Sequence, residues 1–535
     1  MKIFFDELNR RLAVCLLLLV SLMLVCVLRV LVLASDRQLE YAATSQSSVS
    51  VDLYRCRGNF YDTNMLPITS SSSKTMSVIT ATPQGIVSAS SFLKEGEYAR
   101  ALTRLGNGFG VLVDKESGAL PGIIPVKIPK RYSNEQSAVH IVGYINGDGH
   151  GVSGLEAGLD DLLHSDKFAK ISFTVDAANK ILLGAQPIMQ NNDGGNGVVL
   201  TVDLRFQNIV ENALKIADKG AVVVTEAKNG KIRAMASVPE YNPSRPLENV
   251  EDDDSPFINR ALNAYSVGSV FKVCVAAAAI DNGLEDYVQD CRGSIVIDGI
   301  KFNCHKKDGH GRMNMQTALA NSCNCYFYNL AIALGGESIY NTAVSCGFGL
   351  PLEIGGGLSS AGGVMPEIQA VTALKGELAN FSIGQGRLLL TPLSLTTLYG
   401  AVCCDGCYVM PHLIEGFVND GKYKAKENST AKTQVMKPET ARKLKNCLIE
   451  ALNSGTGERA KPSIAVGGGK TATAQTGQLI NGRQIENGWF CGFVEIESIT
   501  YVISVFVEDA VAGSHQGSQI FKAIADNMAK AGVSK

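Results

Sequence analysis

The chemistry in this chain concentrates in three short strings: Ser269-Val-Phe-Lys272, Ser322-Cys-Asn324 and Lys470-Thr-Ala-Thr473. They supply a serine nucleophile, a lysine one helical turn away, a second hydroxyl with an amide, and a second cation. Such a set lets a hydroxyl attack an acyl carbonyl with an amine as its base, without histidine. Lys272, three residues on, emerges on the serine's face of a helix. Desolvated and close to a second cation, it would lose its proton near neutral pH, as a general base must. Ser-x-x-Lys also occurs at Ser71, Ser91 and Ser429. The order of the three strings and their surroundings, and not the spacing alone, single out Ser269.

Those surroundings predict how each string is held. Gly268 precedes the nucleophile, and Lys272-Val-Cys-Val-Ala-Ala-Ala-Ala-Ile280 is an apolar run suited to a buried helix. Ser269 then lies in the first turn, where free N–H groups stabilise nearby anionic charge. A plain alternative is a capping serine with a snorkelling lysine. Ser322–Asn324 falls between a predicted helix at Met315–Ala320 and the aromatic Tyr326-Phe-Tyr328; the alternative there is an ordinary capping loop. Lys470–Ala474 follows Val466-Gly-Gly-Gly469 and reads as a strand along a cleft wall. Its alternative is a solvent-facing edge strand blunted by the lysine.

Around these, Val198–Asp203 predicts a strand, followed by a helix with Phe206, Ile209, Val210, Ala213 and Leu214 on one face. Ala221–Thr225 and Ile232–Ala236 are strands joined through the hairpin signal Lys228-Asn-Gly230. Val494–Val507 gives two more strands, and Ser518–Met528 a C-terminal helix. No βαβ period repeats, which argues for an α+β fold: an antiparallel sheet flanked by helices.

A length of 535 residues, 46% hydrophobic content and 19% charge describe a globular protein with an added apolar segment. The net charge of −2 gives no reason to expect nucleic acid as a partner, and 7 histidines are few for histidine or metal chemistry. Residues 12–35 are apolar except for Arg29, long enough to cross a bilayer core of about 30 Å. Lys2, Arg10 and Arg11 precede the segment and Arg37 follows it. The charge asymmetry therefore predicts a cytoplasmic tail at 1–11 and an extracytoplasmic remainder. A cleaved signal peptide ending at Val32-Leu-Ala34 is the alternative. The polar, glycine-rich stretch 191–197 predicts a linker, dividing a first domain at 36–190 from a second at 198–535.

Of 14 cysteines, 12 follow the apolar segment. Cys291 and Cys304 flank a predicted hairpin turning at Asp298-Gly299. A bridge between them would contribute about 3 kcal/mol on a loop-entropy model. Two reduced thiols are the equal alternative. Cys403, Cys404, Cys407 and His412 resemble zinc ligands superficially, but they read better as a helix-to-strand turn, and adjacent cysteines suit a tetrahedron poorly.

The part beyond the apolar segment resembles class B penicillin-binding proteins, the membrane-anchored D,D-transpeptidases of bacterial wall synthesis. Tyr265–Lys272, Ala318–Phe327 and Gly469–Gln475, with Gly488–Phe493 after it, look like that family's three boxes. Arg57-Gly58, Gly154-Leu-Glu156, Ala234–Pro239, Ser382–Arg387 and Thr391-Pro392 look like its supporting stretches. Two positions depart: Val267 replaces a frequent proline, and Ala472 replaces the usual glycine, whose added methyl is expected at the cleft wall where substrate passes.

The resemblance implies a transpeptidase fold on an elongated pedestal, with Ser269 as nucleophile and Lys272 as its base. Ser322 would relay a proton to the leaving amine. Asn324 would orient Lys272 and bond the substrate amide. Lys470 would balance charge, and Thr471, Ala472 and Thr473 would bind substrate, the two hydroxyls taking its carboxylate. The N–H groups of Ser269 and Thr473 would form the oxyanion hole. It implies peptidoglycan stem peptides as substrate, β-lactams as covalent inhibitors and no metal or organic cofactor. Glycan polymerisation would fall to a separate polytopic membrane glycosyltransferase. A β-lactam hydrolase or sensor, and a non-catalytic wall-synthesis scaffold, are the rival readings.

Overall fold

The computed structural model of the protein describes residues 2–34, 48–182, 184–191, 196–427, 431–480, 482–510 and 514–533. Residues 192–195 of the expected linker lie outside that set. A helix spans Lys2–Ala34. Within it, Arg10–Leu33 is apolar and long enough to cross a membrane, about 36 Å at 1.5 Å per residue.

The chain divides into two compact units, with a different boundary from the one read in the sequence. One comprises Met1–Cys56, Ser73–Pro129 and Asp166–Asp193; the other comprises Arg57–Ser72, Lys130–Ser165 and Gly194–Lys535. Two stretches expected in a contiguous first domain therefore belong with the C-terminal unit. Hydrogen bonding explains this: Asn59–Tyr61 pairs in parallel with Gly197–Leu200, which also pairs with Ile414–Asn419. In the smaller unit, helices Pro83–Phe92 and Glu95–Gly106 bury Ala89, Phe92, Ala101 and Leu105 against Ile79 and Ile123.

In the larger unit, Arg57, Arg131 and Tyr132 converge on one carboxylate. Glu156 is fully buried; it accepts from Arg57 Nε at 2.7 Å, Arg131 Nε at 2.8 Å and Tyr132 Oη at 3.0 Å. Arg57 also pairs with Asp160 at 2.7 Å. This accounts for the two separated strings Arg57-Gly58 and Gly154-Leu-Glu156, since each is half of one buried ion network. Removing a single charge from such a network strands its partners, at a cost of about 3–5 kcal/mol. Glu156→Gln is expected to lower the unit's stability by that amount. The protein's single tryptophan, Trp489, is buried in this unit and its fluorescence reports denaturation here; an unmoved midpoint would refute the assignment.

The core of this unit is an antiparallel sheet of five strands: β1 (Gly220–Glu226), β2 (Ile232–Val238), β3 (Val466–Ile480), β4 (Arg483–Ile496) and β5 (Ile499–Val507). Their spatial order is β2-β1-β5-β4-β3. Alternate residues of β5 serve two cores. Ile503, Val505 and Val507 pack with Phe206, Val210, Ile520, Phe521 and Ile524 of helices Leu204–Leu214 and Ser514–Val533. Val502 and Phe506 join the core holding the nucleophile's helix. Both faces being covered, the strand reads as a nearly unbroken apolar run in place of the usual alternation. The α+β fold with helices flanking an antiparallel sheet is the one expected.

Candidate active site

Ser269 sits in a 3-10 turn, Gly268–Phe271, that runs directly into helix Lys272–Asp281. Residues Lys272–Ile280 are all buried, and the alanines let this helix lie in the middle of the unit. Gly268 enters the turn at φ +67, its N–H donating to the Gly384 carbonyl at 2.8 Å. Gly384 is itself at φ +74, and a Cβ there would stand 2.0 Å from the Gly268 oxygen. Only glycine, with no side chain, allows that approach. The stretch Ser382–Arg387 is thus a backbone support for the nucleophile's turn. On the other side, Trp489 Nε1 of β4 donates to the Ser266 carbonyl at 2.8 Å.

The second string follows helix Met315–Ala320, and Asn324 opens helix Asn324–Leu334. Between them Ser322 takes a left-handed conformation, φ +52, which costs a non-glycine residue about 1–2 kcal/mol. The compensation is on Lys272. Its Nζ, with no exposed surface, donates to the Ser322 carbonyl at 2.8 Å, to Ser322 Oγ at 3.2 Å and to Asn324 Oδ1 at 2.6 Å. One amine therefore ties the first string to the second. The Phe327 ring lies 5.4 Å from the same nitrogen.

Burial lowers the Lys272 pKa to about 7. Burial, aided by repulsion from Lys272, also lowers Lys470 well below the ordinary lysine value. Two ammonium groups are not both stable in one dry site, so the pair holds fewer than two protons at neutral pH. That makes a neutral lysine amine available at neutral pH.

The third string lies on β3, which passes against the nucleophile's turn: a Cβ on Gly268 would meet the Thr473 carbonyl at 3.1 Å and the Ala472 methyl at 3.3 Å. Thr473 faces a cavity of about 570 Å³ that Ser269 and Asn324 also line. Lys470 is fully buried, unlike the solvent-facing lysine of a blunted edge strand. Thr471 is buried, its hydroxyl sharing a hydrogen bond with that of Thr456 at 3.1 Å. Ala472 is buried beneath the Ser269 turn, with Trp489 opposite it on β4, and it is not among the residues lining the cavity. Its methyl thus fills core space and does not narrow the cleft wall, in contrast to the effect expected from the sequence.

Sequence reasoning missed several cavity-lining groups: Asn303, Cys304, His305, Tyr328, Gln385, Gln475 and Glu486. Gln385 and Gln475 lay inside strings already singled out. Glu486 gave no local signal, being placed by its pairing with Gln475 across β3 and β4.

The cysteine readings resolve unevenly. Ser294–Ile297 and Ile300–Asn303 do pair as a hairpin, with Asp298 and Gly299 at positive φ. Cys291 and Cys304 are free thiols, each 3.6 Å from His310 Nδ1, and the Cys323 thiol joins them. The donor atoms of Cys291, Cys304, His310 and Cys323 all lie within 4.8 Å of one another. Cys403, Cys404, Cys407 and His412 form no such group among the described residues; Cys407 donates to Gln434 Oε1 at 2.9 Å.

A family model described as the penicillin-binding protein transpeptidase domain matches residues 220–526. Stage V sporulation protein D of Bacillus subtilis is 29% identical over 408 residues, covering 73% of this chain and 61% of that protein. Peptidoglycan D,D-transpeptidase MrdA of Acinetobacter baumannii is 27% identical over 463 residues, covering 76% of this chain and 67% of that protein. The match thus spans less than two thirds of the Bacillus subtilis relative. Among solved structures, penicillin-binding protein 3 of Mycobacterium tuberculosis complexed with aztreonam superposes with a TM-score of 0.65 at 23% identity, covering 90% of this chain and 97% of that one. Penicillin-binding protein PBP2 of Helicobacter pylori, in complex with MreC, gives 0.66 at 21% identity over 91% and 100%. At such identities the structural matches speak for the fold.

Proposed function

We propose that this chain, which belongs to the penicillin-binding protein transpeptidase family as a class B member, is a serine D,D-transpeptidase that crosslinks peptidoglycan stem peptides and is acylated by β-lactams. The observation that carries the proposal is the Lys272 amine, three residues after Ser269, bonded at once to Ser322 and Asn324.

Ser269 Oγ attacks the carbonyl of the penultimate D-alanine, its proton passing to neutral Lys272. The N–H groups of Ser269 and Thr473 take the developing oxyanion, usually the largest electrostatic contribution in such sites. Ser322 returns a proton to the departing D-alanine nitrogen as the C–N bond breaks. An amine from a neighbouring stem peptide then attacks the acyl-enzyme, forming the crosslink and regenerating Ser269. Asn324 holds Lys272 and meets the substrate amide, Thr473 receives the carboxylate, and Lys470, buried on β3, shares the charge of the lysine pair with Lys272. Thr471, tied to Thr456, and Ala472 support that strand from beneath.

The helix Lys2–Ala34 is proposed as a single-pass anchor, with its basic N-terminal side in the cytoplasm and the two units outside. A polytopic membrane glycosyltransferase would provide the glycan strands. The test is covalent labelling of the purified full chain by a fluorescent penicillin, beside Ser269→Ala. Persistent label on the wild type and none on the variant is expected. Label that clears within seconds would indicate a β-lactam hydrolase, and no label on folded wild type a non-catalytic scaffold.

A further inference from the structure

We infer that Cys291, Cys304, His310 and Cys323 form a zinc site directly behind the Ser322–Asn324 string. Three thiols and one imidazole are a standard donor set for a closed, four-coordinate structural zinc. The four come from three separate segments: the end of strand Gln289–Cys291, the loop after strand Ile300–Asn303, and the residue preceding helix Asn324–Leu334. Nothing in ordinary core packing requires that chain-distant thiols and an imidazole present their donor atoms to one point.

The spacing fits a metal. With Zn–S near 2.3 Å and Zn–N near 2.0–2.1 Å, a tetrahedron places N and S about 3.5–3.6 Å apart. His310 Nδ1 stands 3.6 Å from both the Cys291 and the Cys304 sulfur. All three cysteines are at most 4% exposed, and His310 is half-buried. The His310 backbone N–H donates to the Cys291 carbonyl at 3.0 Å, fixing two donors relative to each other. On binding, the three thiols release their protons to solvent and the neutral imidazole coordinates through Nδ1, leaving a closed centre with no position for water or substrate. The role is therefore structural.

Its position gives that role a consequence. Cys323 is the middle residue of Ser322-Cys-Asn324, and Cys304 lines the same cavity as Ser269. A metal here pins the strained Ser322 turn from behind and clamps residues 291–310 as one wall of the cleft. On the transpeptidase reading above, losing the metal would slow penicillin acylation by about 10- to 100-fold, a typical cost of disturbing the shell of such a centre.

The test begins with the purified full chain, kept reduced in detergent, its metal content measured by elemental analysis. About one zinc per chain is expected, and cobalt substitution should give the thiolate charge-transfer and tetrahedral d–d bands of a sulfur-rich site. His310→Ala and the Cys291→Ser, Cys304→Ser double variant should lose the metal. His310→Cys should keep it through four thiolates, and Cys491→Ser, altered outside the cluster, should keep it too. A metal-free, folded wild type would overturn the inference. So would a Cys291–Cys304 disulfide found in the native protein, or zinc retained by the double variant. Metal content is read without penicillin, so its outcome is separate from that of the labelling experiment.

Discussion

Lys272→Met will lower the second-order rate of penicillin acylation by about 10²- to 10⁴-fold, the range a positioned general base contributes. Methionine has nearly the length of the lysine stem and suits a side chain with no exposed surface, so the core around helix Lys272–Asp281 keeps its volume. What it removes is the amine that meets Ser322 and Asn324. The Asn324 amide oxygen and the Ser322 carbonyl lose a donor, at about 1–3 kcal/mol for each acceptor left unpaired. Denaturation followed through Trp489 should register that loss while showing a folded protein. Lys272→Arg should not rescue the rate, because a guanidinium stays protonated and cannot accept the serine proton. Acylation of folded Lys272→Met within about threefold of wild type would place the base elsewhere.

How much of this was legible beforehand depended on whether a feature was local. The helix at Lys272, the hairpin at Asp298-Gly299 and the strands β1, β2 and β5 follow from apolar runs and turn residues within a few positions, and the structure has them. Features made by distant parts were read less well. The unit boundary was placed at a polar, glycine-rich stretch, yet the stretches holding Arg57 and Glu156 belong with the C-terminal unit. There Asn59–Tyr61 pairs with Gly197–Leu200 and Arg57 pairs with Glu156, contacts between distant positions that no local signal reveals. Ala472 shows the same limit at one residue. A methyl in place of hydrogen suggested a crowded cleft, but which way it points depends on the register of β3 against β4 and on the turn beneath it. The thiols are a further case. Cys291 and Cys304 were visible as a pair, while Cys323 stood inside a catalytic string and nothing in the sequence singled out His310. Only the fold brings the four donors together.

Gly384→Ala will disable the site without touching any group that meets substrate. The position is held at φ +74, where an L side chain is strained by about 1–2 kcal/mol whatever the space around it. The space is also lacking, because the new Cβ would lie 2.0 Å from the Gly268 oxygen and 2.7 Å from its carbonyl carbon. Both are backbone atoms and cannot rotate away. Relief requires Gly268 to move, and Gly268 is the residue that aims Ser269 and receives the close approach of Thr473 from β3. A displacement of about 1 Å in a reacting group can cost about 10²-fold in rate. Acylation should fall by at least that factor, with a stability loss of about 2–4 kcal/mol from strain and overpacking together. Gly386→Ala provides the comparison. That glycine too has positive φ, +81, but a Cβ there meets only the Asn380 Cβ, at an ordinary 3.5 Å. It should therefore pay the conformational strain while leaving the Ser269 turn in place. If the two variants acylate equally, contact with Gly268 is not what sets the nucleophile, and strain in the Ser382–Arg387 segment alone would account for both.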